Sequence, residues 1–262
     1  MINFNFLEAN VEELSKKFLT ANPYEHIVID NFCNKDILEG CLNSLPDPKI
    51  EGHNKSKDYI FAKNKFEKSE FNLLCPEFSD LKTELLSERF SSWISNLTKQ
   101  KIFIDPAFHG GGLHQGGTGS YLDMHADFNY HPENLNWFRN INILLYLNKN
   151  WEEDYKGELK LIDGRLDKGE PLLIEPIFNR AVIMFTRDYT LHGYDPINFP
   201  DGSYRSSIAA YGYTFTEKKG KLRTTIWKPQ KSSSFKRILG LYMPKLVSIK
   251  SRLFGSGTTK NK

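Results

Sequence analysis

Only three cysteines occur in the 262 residues, Cys33, Cys41 and Cys75, and no two stand at CxxC spacing. So odd and scattered a set argues against a disulfide framework and against a thiolate zinc site. Cys41 falls in an apolar helical pattern, where packing is the default role. No run approaches the roughly 18 apolar residues that a spanning helix needs. The start, Met1-Ile2-Asn3-Phe4-Asn5, lacks the basic stretch and apolar core of a secretory leader, so the sequence predicts a cytoplasmic protein. A phosphate-binding loop is missing as well. His109-Gly110-Gly111-Gly112-Leu113-His114 has no Lys-Ser/Thr after its glycines, and its two histidines match neither a strand face nor a helical pair. It reads as a flexible loop at the rim of a site. Internal repeats are absent.

At 39% hydrophobic and 26% charged residues, the composition suits a globular chain with a full core, organised as one large domain or one domain with appendages. The net charge of +3 conceals an asymmetry. Residues 218–262 hold thirteen Lys or Arg and no acid, leaving 22 basic against 32 acidic residues elsewhere. The two regions are therefore expected to do different work.

Up to about residue 100 the pattern is mostly helical. Asn10 with Glu13 matches a capping pattern before Leu14, Phe18 and Leu19. His26–Asp30 reads as a strand, and Asn34 opens a helix through Ile37, Leu38, Cys41, Leu42 and Leu45. The polar stretch 46–70 reads as loop, and Ser79 to Leu97 as one helix. Beyond residue 100, short strand-like runs alternate with turn residues: Tyr121–Asp127, Ile141–Leu147, Gly157–Ile162, Ala181–Phe185 and Arg205–Phe215. That texture predicts a sandwich or barrel, and the nearly continuous apolar run Ile141–Leu147 predicts a strand covered on both faces. In the tail, Phe235, Ile238, Leu239 and Tyr242 fall at helical spacing, Pro244 can open another short helix, and the last eight residues read as disordered.

His125-Ala126-Asp127 puts an imidazole and a carboxylate two residues apart, hence on one face of a strand. His192 is the best third ligand for a divalent metal. Two histidines and one carboxylate on one side of an ion leave the other positions open, as in non-haem Fe(II) oxygenases. Each histidine alone reads equally well as a surface or hydrogen-bonded residue. Arg205 opens a strand that otherwise looks like core, so its charge needs a partner. That partner is either an acid of the protein or a free dicarboxylate gripped by the planar guanidinium. Ser207 shares its face. Asn142 and Tyr146 share a face of the apolar strand and either satisfy local backbone or bind an organic acid.

Taken together these residues resemble the prolyl-4-hydroxylase-like group of Fe(II)/2-oxoglutarate oxygenases. The resemblance runs through His125-Ala126-Asp127, Asn142-Ile-Leu-Leu-Tyr-Leu-Asn-Lys-Asn-Trp151, Gly157-Glu-Leu-Lys-Leu161, His192-Gly193, Arg205-Ser206-Ser207 and Tyr211-Gly212-Tyr213-Thr214, within about residues 24–216. It implies a double-stranded β-helix (a jelly roll) with N-terminal helices packed on one sheet. It further implies Fe(II) on His125, Asp127 and His192, with 2-oxoglutarate and O2 as co-substrates and ascorbate as a compatible reductant. Arg205 matches the residue that holds the distal carboxylate of 2-oxoglutarate. It stands thirteen residues past His192, a longer gap than usual that the Pro196–Gly202 loop must absorb. Tyr146 and, less closely, Asn142 match further contacts to that acid, with Leu159 against its methylenes and Ser207 beside Arg205. The carboxylate of Asp127 argues for hydroxylation or another oxidation and not halogenation, since related halogenases carry a small residue there.

Around this core, Tyr121, His131 and Arg139 are candidate substrate contacts. For His131 the alternative is a solvated loop position, and for Arg139 a structural partner to an acid. The domain reading is an oxygenase domain over 1–217 (helical support about 1–100, jelly-roll core about 101–217) and a basic, partly helical appendage over 218–262. The appendage is either a solvated extension or a contact for an anionic membrane surface or acidic partner, and on the membrane reading it makes the protein peripheral at the inner membrane surface; nucleic acid is the less favoured choice. The leading function is hydroxylation of a small molecule or glycan precursor. The alternatives are a protein prolyl hydroxylase and a non-catalytic metal-binding interaction module.

Overall fold

The computed structural model describes residues 1–50, 54–55, 58–166, 169–229 and 238–239. Five helices come first among the described elements, α1 (Phe4–Ala9), α2 (Val11–Leu19), α3 (Lys35–Leu42), α4 (Pro76–Leu85) and α5 (Glu88–Thr98), interrupted by strands β1 (His26–Asp30), β2 (Asn54–Lys55) and β3 (Ala62–Lys68). The remainder is strand: β4 (Phe103–Ile104), β5 (Gly112–Ala126), β6 (Trp137–Tyr146), β7 (Leu159–Asp163), β8 (Leu172–Ile174), β9 (Arg180–Phe185), β10 (Thr190–Tyr194), β11 (Arg205–Phe215) and β12 (Ile226–Trp227). They form one curled antiparallel sheet in the order β1-β9-β6-β11-β5-β10-β7-β8, with β3 and β12 on β5 and β4 on β11. This is the expected jelly roll with helices on one side. Among the described residues no helix is long and apolar enough to cross a membrane.

Strand alternation divides the core. On β6, Ile141, Ile143 and Leu145 pack with Leu7, Phe18, Phe90, Trp93 and Leu97 of the helices, while Tyr146 joins a second cluster with Leu159, Leu161, Val182 and Met184. The two faces of β6 are thus both covered, as its apolar run requires. The second cluster lies on the concave face, where polar residues gather.

Several local expectations are corrected. The helix over Ser79 to Leu97 is two helices. Leu86 ends α4, and the Ser87 hydroxyl caps α5 by accepting from Phe90 N at 3.1 Å. The stretch 46–70 is not all loop, because β3 lies along β5 from Ala62↔Leu122 to Lys68↔Leu113. The glycine loop after His109 ends at Gly112, where β5 begins. Gly112 has φ +96, and a Cβ there would stand 2.2 Å from Lys68 O, so only glycine lets the two strands meet. Asn34 caps α3 as expected, its Oδ1 accepting from Ile37 N at 3.1 Å, whereas Asn10 makes no side-chain cap bond. Residues 218–229 stay against the sheet. Gly220 N donates to Leu135 O at 2.8 Å, and β12 pairs with β5. The expected helices around Phe235 and Pro244 and the disordered end lie outside the described residues, apart from a helical Ile238-Leu239.

One buried side chain ties the helical layer to the sheet. Asn179, in the left-handed region at φ 63, accepts from Cys33 N and donates to Cys33 O, both at 2.8 Å. Asn179→Ala strands both backbone groups and places alanine where φ is positive. A loss of about 2–4 kcal/mol in urea unfolding is expected.

Candidate active site

The site is assembled where β5 meets β10. His192 lies directly across the ladder from His125, so both rings leave neighbouring strands on the same face. Asp127 follows one residue beyond the end of β5. The ring centroids of the histidines are 4.3 Å apart, and their Nε2 atoms lie 3.5 Å (His125) and 3.3 Å (His192) from the Asp127 oxygens. Two donor atoms bound to one ion at about 2.1 Å stand roughly 3 Å apart, so the three side chains are spaced for a shared ion. All three ligand atoms lie within 4.8 Å of one another. His125 Nδ1 donates to Asp123 O at 2.8 Å, which leaves the Nε2 lone pair aimed at the cluster.

Electrostatics suit a cation. Burial pushes the His125 imidazole down, with His192 adding to the shift, so the ring is held neutral. Burial alone would raise the Asp127 carboxyl, but Arg139 and the histidines outweigh it and hold the group well below the usual range. Arg139 Nη2 donates to Asp127 Oδ2 at 3.0 Å, and Asn142 Nδ2 to the same oxygen at 2.7 Å. Arg139 also donates twice to Asn142 Oδ1, at 3.0 and 2.8 Å, and lies 3.5 Å over the Tyr211 ring. Fixing Oδ2 in this way holds the carboxylate in one orientation, with Oδ1 3.5 Å from His125 Nε2 and Oδ2 3.3 Å from His192 Nε2. Arg139, at 2% exposure, is thus placed as the structural partner of an acid, and that acid is the candidate ligand.

Asn142 sits in this support and not beside Arg205, contrary to the expectation that it touches the organic acid. Asn142→Ala is expected to weaken Mn(II) binding about 10- to 100-fold in calorimetry, with 2-oxoglutarate affinity at saturating metal nearly unchanged. A loss confined to the acid would instead restore the expected contact.

Arg205 opens β11 on the same concave face. Its Nε donates to Gly157 O at 2.7 Å and its Nη2 to Tyr146 Oη at 3.2 Å, with the Tyr194 ring 4.4 Å away. No carboxylate pairs with it among the described residues, although the residue is buried. The reading of an internal salt bridge is therefore not met. Burial raises the Tyr146 hydroxyl, so it remains a protonated partner. Ser207 faces Tyr146 across the ladder, and Leu159 packs on Tyr146. The long connection from His192 to Arg205 is anchored by Ile197 and Phe199, which pack against Tyr194, Leu122, Trp151 and Tyr155.

Two substrate candidates go elsewhere. The Tyr121 hydroxyl donates to Ile60 O at 3.2 Å, because the register slips between Leu122 and His125 and turns Tyr121 off their shared face. His131 is buried under its loop against Trp137 and Tyr213, its Nδ1 accepting from Glu133 N at 3.2 Å. Its default as a solvated loop residue fails as well.

Other residues on this face carried no sequence signal. Cross-strand register places Glu67, His114, Ser207 and Tyr146 in one row, and Lys65, Gly116 and Arg205 in the next. Lys65 Nζ pairs with Glu67 Oε1 at 2.8 Å. Burial and then Lys65 hold the His114 imidazole down at about 3, so it stays neutral. The rows beside Tyr146 and Arg205 are therefore polar, with one ion pair and one neutral imidazole. Trp227 and Arg223, from the stretch read as an appendage, also reach the centre.

Cys41, Cys75 and Glu77 also come together, away from this face. Burial, with Cys75 adding, pushes the Cys41 thiol up, which disfavours the thiolate that a metal needs.

Residues 111–213 match the family model of the 2OG-Fe(II) oxygenase superfamily. No curated protein matches. Among solved structures, the fold is similar to a Trichoplax adhaerens prolyl hydroxylase in complex with a hypoxia inducible factor peptide fragment, at TM-score 0.57 and 17% identity over 81% of this chain and 92% of that one. A Pseudomonas putida prolyl-4-hydroxylase aligns at TM-score 0.53 and 14% identity, over 79% of this chain and 100% of the other. The epimerase SnoN, in complex with Fe3+, alpha ketoglutarate and nogalamycin RO, aligns at TM-score 0.53 and 10% identity over 87% and 90%.

Proposed function

We propose that this chain, whose residues 111–213 match the family model of the 2OG-Fe(II) oxygenase superfamily, uses Fe(II), 2-oxoglutarate and O2 and hydroxylates a small polar molecule or glycan precursor at an iron held by His125, Asp127 and His192. The observation that carries the site assignment is the pairing of that cluster with Arg205, a buried guanidinium without an acid beside it among the described residues. When bound, the iron and its co-substrates supply the oxidation, in which 2-oxoglutarate and O2 become succinate and CO2 as one oxygen atom enters a substrate C–H bond.

The chain's own contributions follow from the geometry. Arg205 and the Tyr146 hydroxyl take the distal carboxylate of 2-oxoglutarate, and Leu159 packs on its methylenes. Asn142 and Arg139 hold Asp127 Oδ2 so that the carboxylate keeps one orientation. Buried side chains of the second cluster, Tyr146, Leu161 and Met184, keep water from the reacting groups. Lys65, Glu67 and His114 line the side from which a substrate approaches. A charged wall favours a polar metabolite over an apolar proline ring, which supports the small-molecule reading.

A protein prolyl hydroxylase is the second reading, favoured by the Tyr146–Trp151 segment and by the fold shared with prolyl hydroxylases. Iron- and 2-oxoglutarate-dependent succinate release is the test, run against a pool of polar metabolites and a set of proline-containing peptides with mass spectrometry of both. Stimulation and a gain of one oxygen in the metabolite pool is the expected result. Hydroxyproline in a peptide overturns the substrate assignment. Failure of either set to be oxidised, with no succinate at any iron concentration, favours a non-catalytic metal-binding module.

A further inference from the structure

The last strand of the sheet bears on the metal ligands themselves. Trp227 stands directly opposite His125 in the β12–β5 ladder, and Lys228 N donates to Met124 O at 2.8 Å. The Trp227 indole stacks on the His125 ring with centroids 4.9 Å apart and planes at 28°. Its other side is closed by Phe61, stacked at 5.0 Å and 10°, and by the edge of Tyr59. The imidazole is thus held in a layered stack from the residues just before β3 through β12 to β5. Four residues earlier, Arg223 Nη2 donates to the backbone carbonyl of Asp127 at 2.9 Å. That arginine is itself located by Asn129, whose Oδ1 accepts from Arg223 N at 2.7 Å and whose Nδ2 donates to Lys221 O at 3.2 Å.

We propose that residues 221–229 act as a clamp on the first two metal ligands, with Trp227 and Arg223 as positioning residues. Trp227 fixes the plane of the His125 ring, so that Nε2 stays aimed at the ion, and Arg223 pins the peptide that carries Asp127. A metal ligand free to rotate loses entropy on binding, and a ligand already held does not. The clamp therefore raises metal affinity without touching the metal. It rests on the assignment of the iron to His125, Asp127 and His192.

Mn(II) titrated calorimetrically into the full chain tests this, with Trp227→Ala, Trp227→Phe, Arg223→Met and His192→Ala as variants. W227A and R223M are expected to bind about 10- to 100-fold more weakly. W227F, which keeps a ring over the imidazole, is expected to regain most of that loss. Quenching of indole emission by added Co(II) supplies a second readout, which depends on the distance from Trp227 to the bound ion. Co(II), bound a few ångströms from Trp227, quenches the parent's emission, and most of that quenching disappears in W227F although Co(II) still binds. Should W227A fail to fold, R223M and the W227F emission decide the matter. Parent-like Mn(II) affinity in R223M, together with undiminished quenching in W227F, overturns the clamp. If His192→Ala binds Mn(II) as the parent does, the metal assignment is at fault instead, and the clamp falls with it.

Discussion

Asp127→Ala abolishes iron-dependent succinate release and lowers the stability of the metal-free protein at the same time. The first effect follows from removing the only anionic ligand of the cluster, and it exceeds the roughly 10- to 100-fold loss expected of supporting residues such as Asn142. The second follows from what the carboxylate does before metal arrives. It is the partner of Arg139, which is 2% exposed and stacked on Tyr211. Deleting the acid leaves a buried guanidinium uncompensated, at a cost of about 3–5 kcal/mol. His192→Ala separates the two effects, since the His192 ring has no comparable ion pair to leave behind. It is expected to lose activity with a smaller change in urea unfolding. Wild-type turnover in either variant, measured as succinate released, would remove Asp127 and His192 from the metal site.

Arg205→Met raises the KM for 2-oxoglutarate by about 30- to 3,000-fold, the equivalent of the 2–5 kcal/mol that a buried charge contact carries. Turnover at saturating 2-oxoglutarate is expected to change far less, because the proposed role of Arg205 is to hold the distal carboxylate and not the carbons that react. Arg205→Lys recovers only part of the loss, since an ammonium lacks the forked geometry that matches a carboxylate and cannot keep both the Gly157 and Tyr146 bonds. The same R205M substitution is expected to leave the ligand-free protein as stable as the parent or more so, because the parent buries this charge without an acid. Steady-state kinetics with 2-oxoglutarate as the varied substrate checks the first part, and denaturant unfolding the second. A KM within a few-fold of the parent places the acid elsewhere.

What could be read from the residues was whatever strict periodicity or rare chemistry encodes. Arg205–Phe215 and His26–Asp30 form strands with the boundaries expected of them. The His-x-Asp pair and His192 converge because alternation is a property of a strand wherever it lies. The misreadings share one cause, that local polarity hides a tertiary role. β3 is written Ala-Lys-Asn-Lys-Phe-Glu-Lys, which looks like loop because only Ala62 and Phe66 among its residues are apolar and buried. Lys65 and Glu67 were invisible for the same reason. The stretch after residue 217 looked like an appendage because its lysines outnumber its apolar residues, yet Trp227 and Arg223 turn inward from it. Asn142 was placed beside 2-oxoglutarate because it shares a face with Tyr146. Four residues along a strand is about 13 Å, and that distance takes it from the acid pocket to the metal. The helix break at Leu86-Ser87 was missed because the apolar spacing continues across it, while the Ser87 cap is a single hydroxyl.

The unpaired Arg205 has a consequence outside catalysis. The counter-ion proposed for it is 2-oxoglutarate, and on that proposal the folded chain is expected to be tighter when this metabolite is plentiful. At 2-oxoglutarate a hundredfold above its dissociation constant, binding adds about 2.7 kcal/mol to stability. Proteases that act on transiently opened chains then degrade the protein faster in carbon-starved cells than in well-fed ones. Its abundance, and not only its rate, tracks the keto acid it consumes.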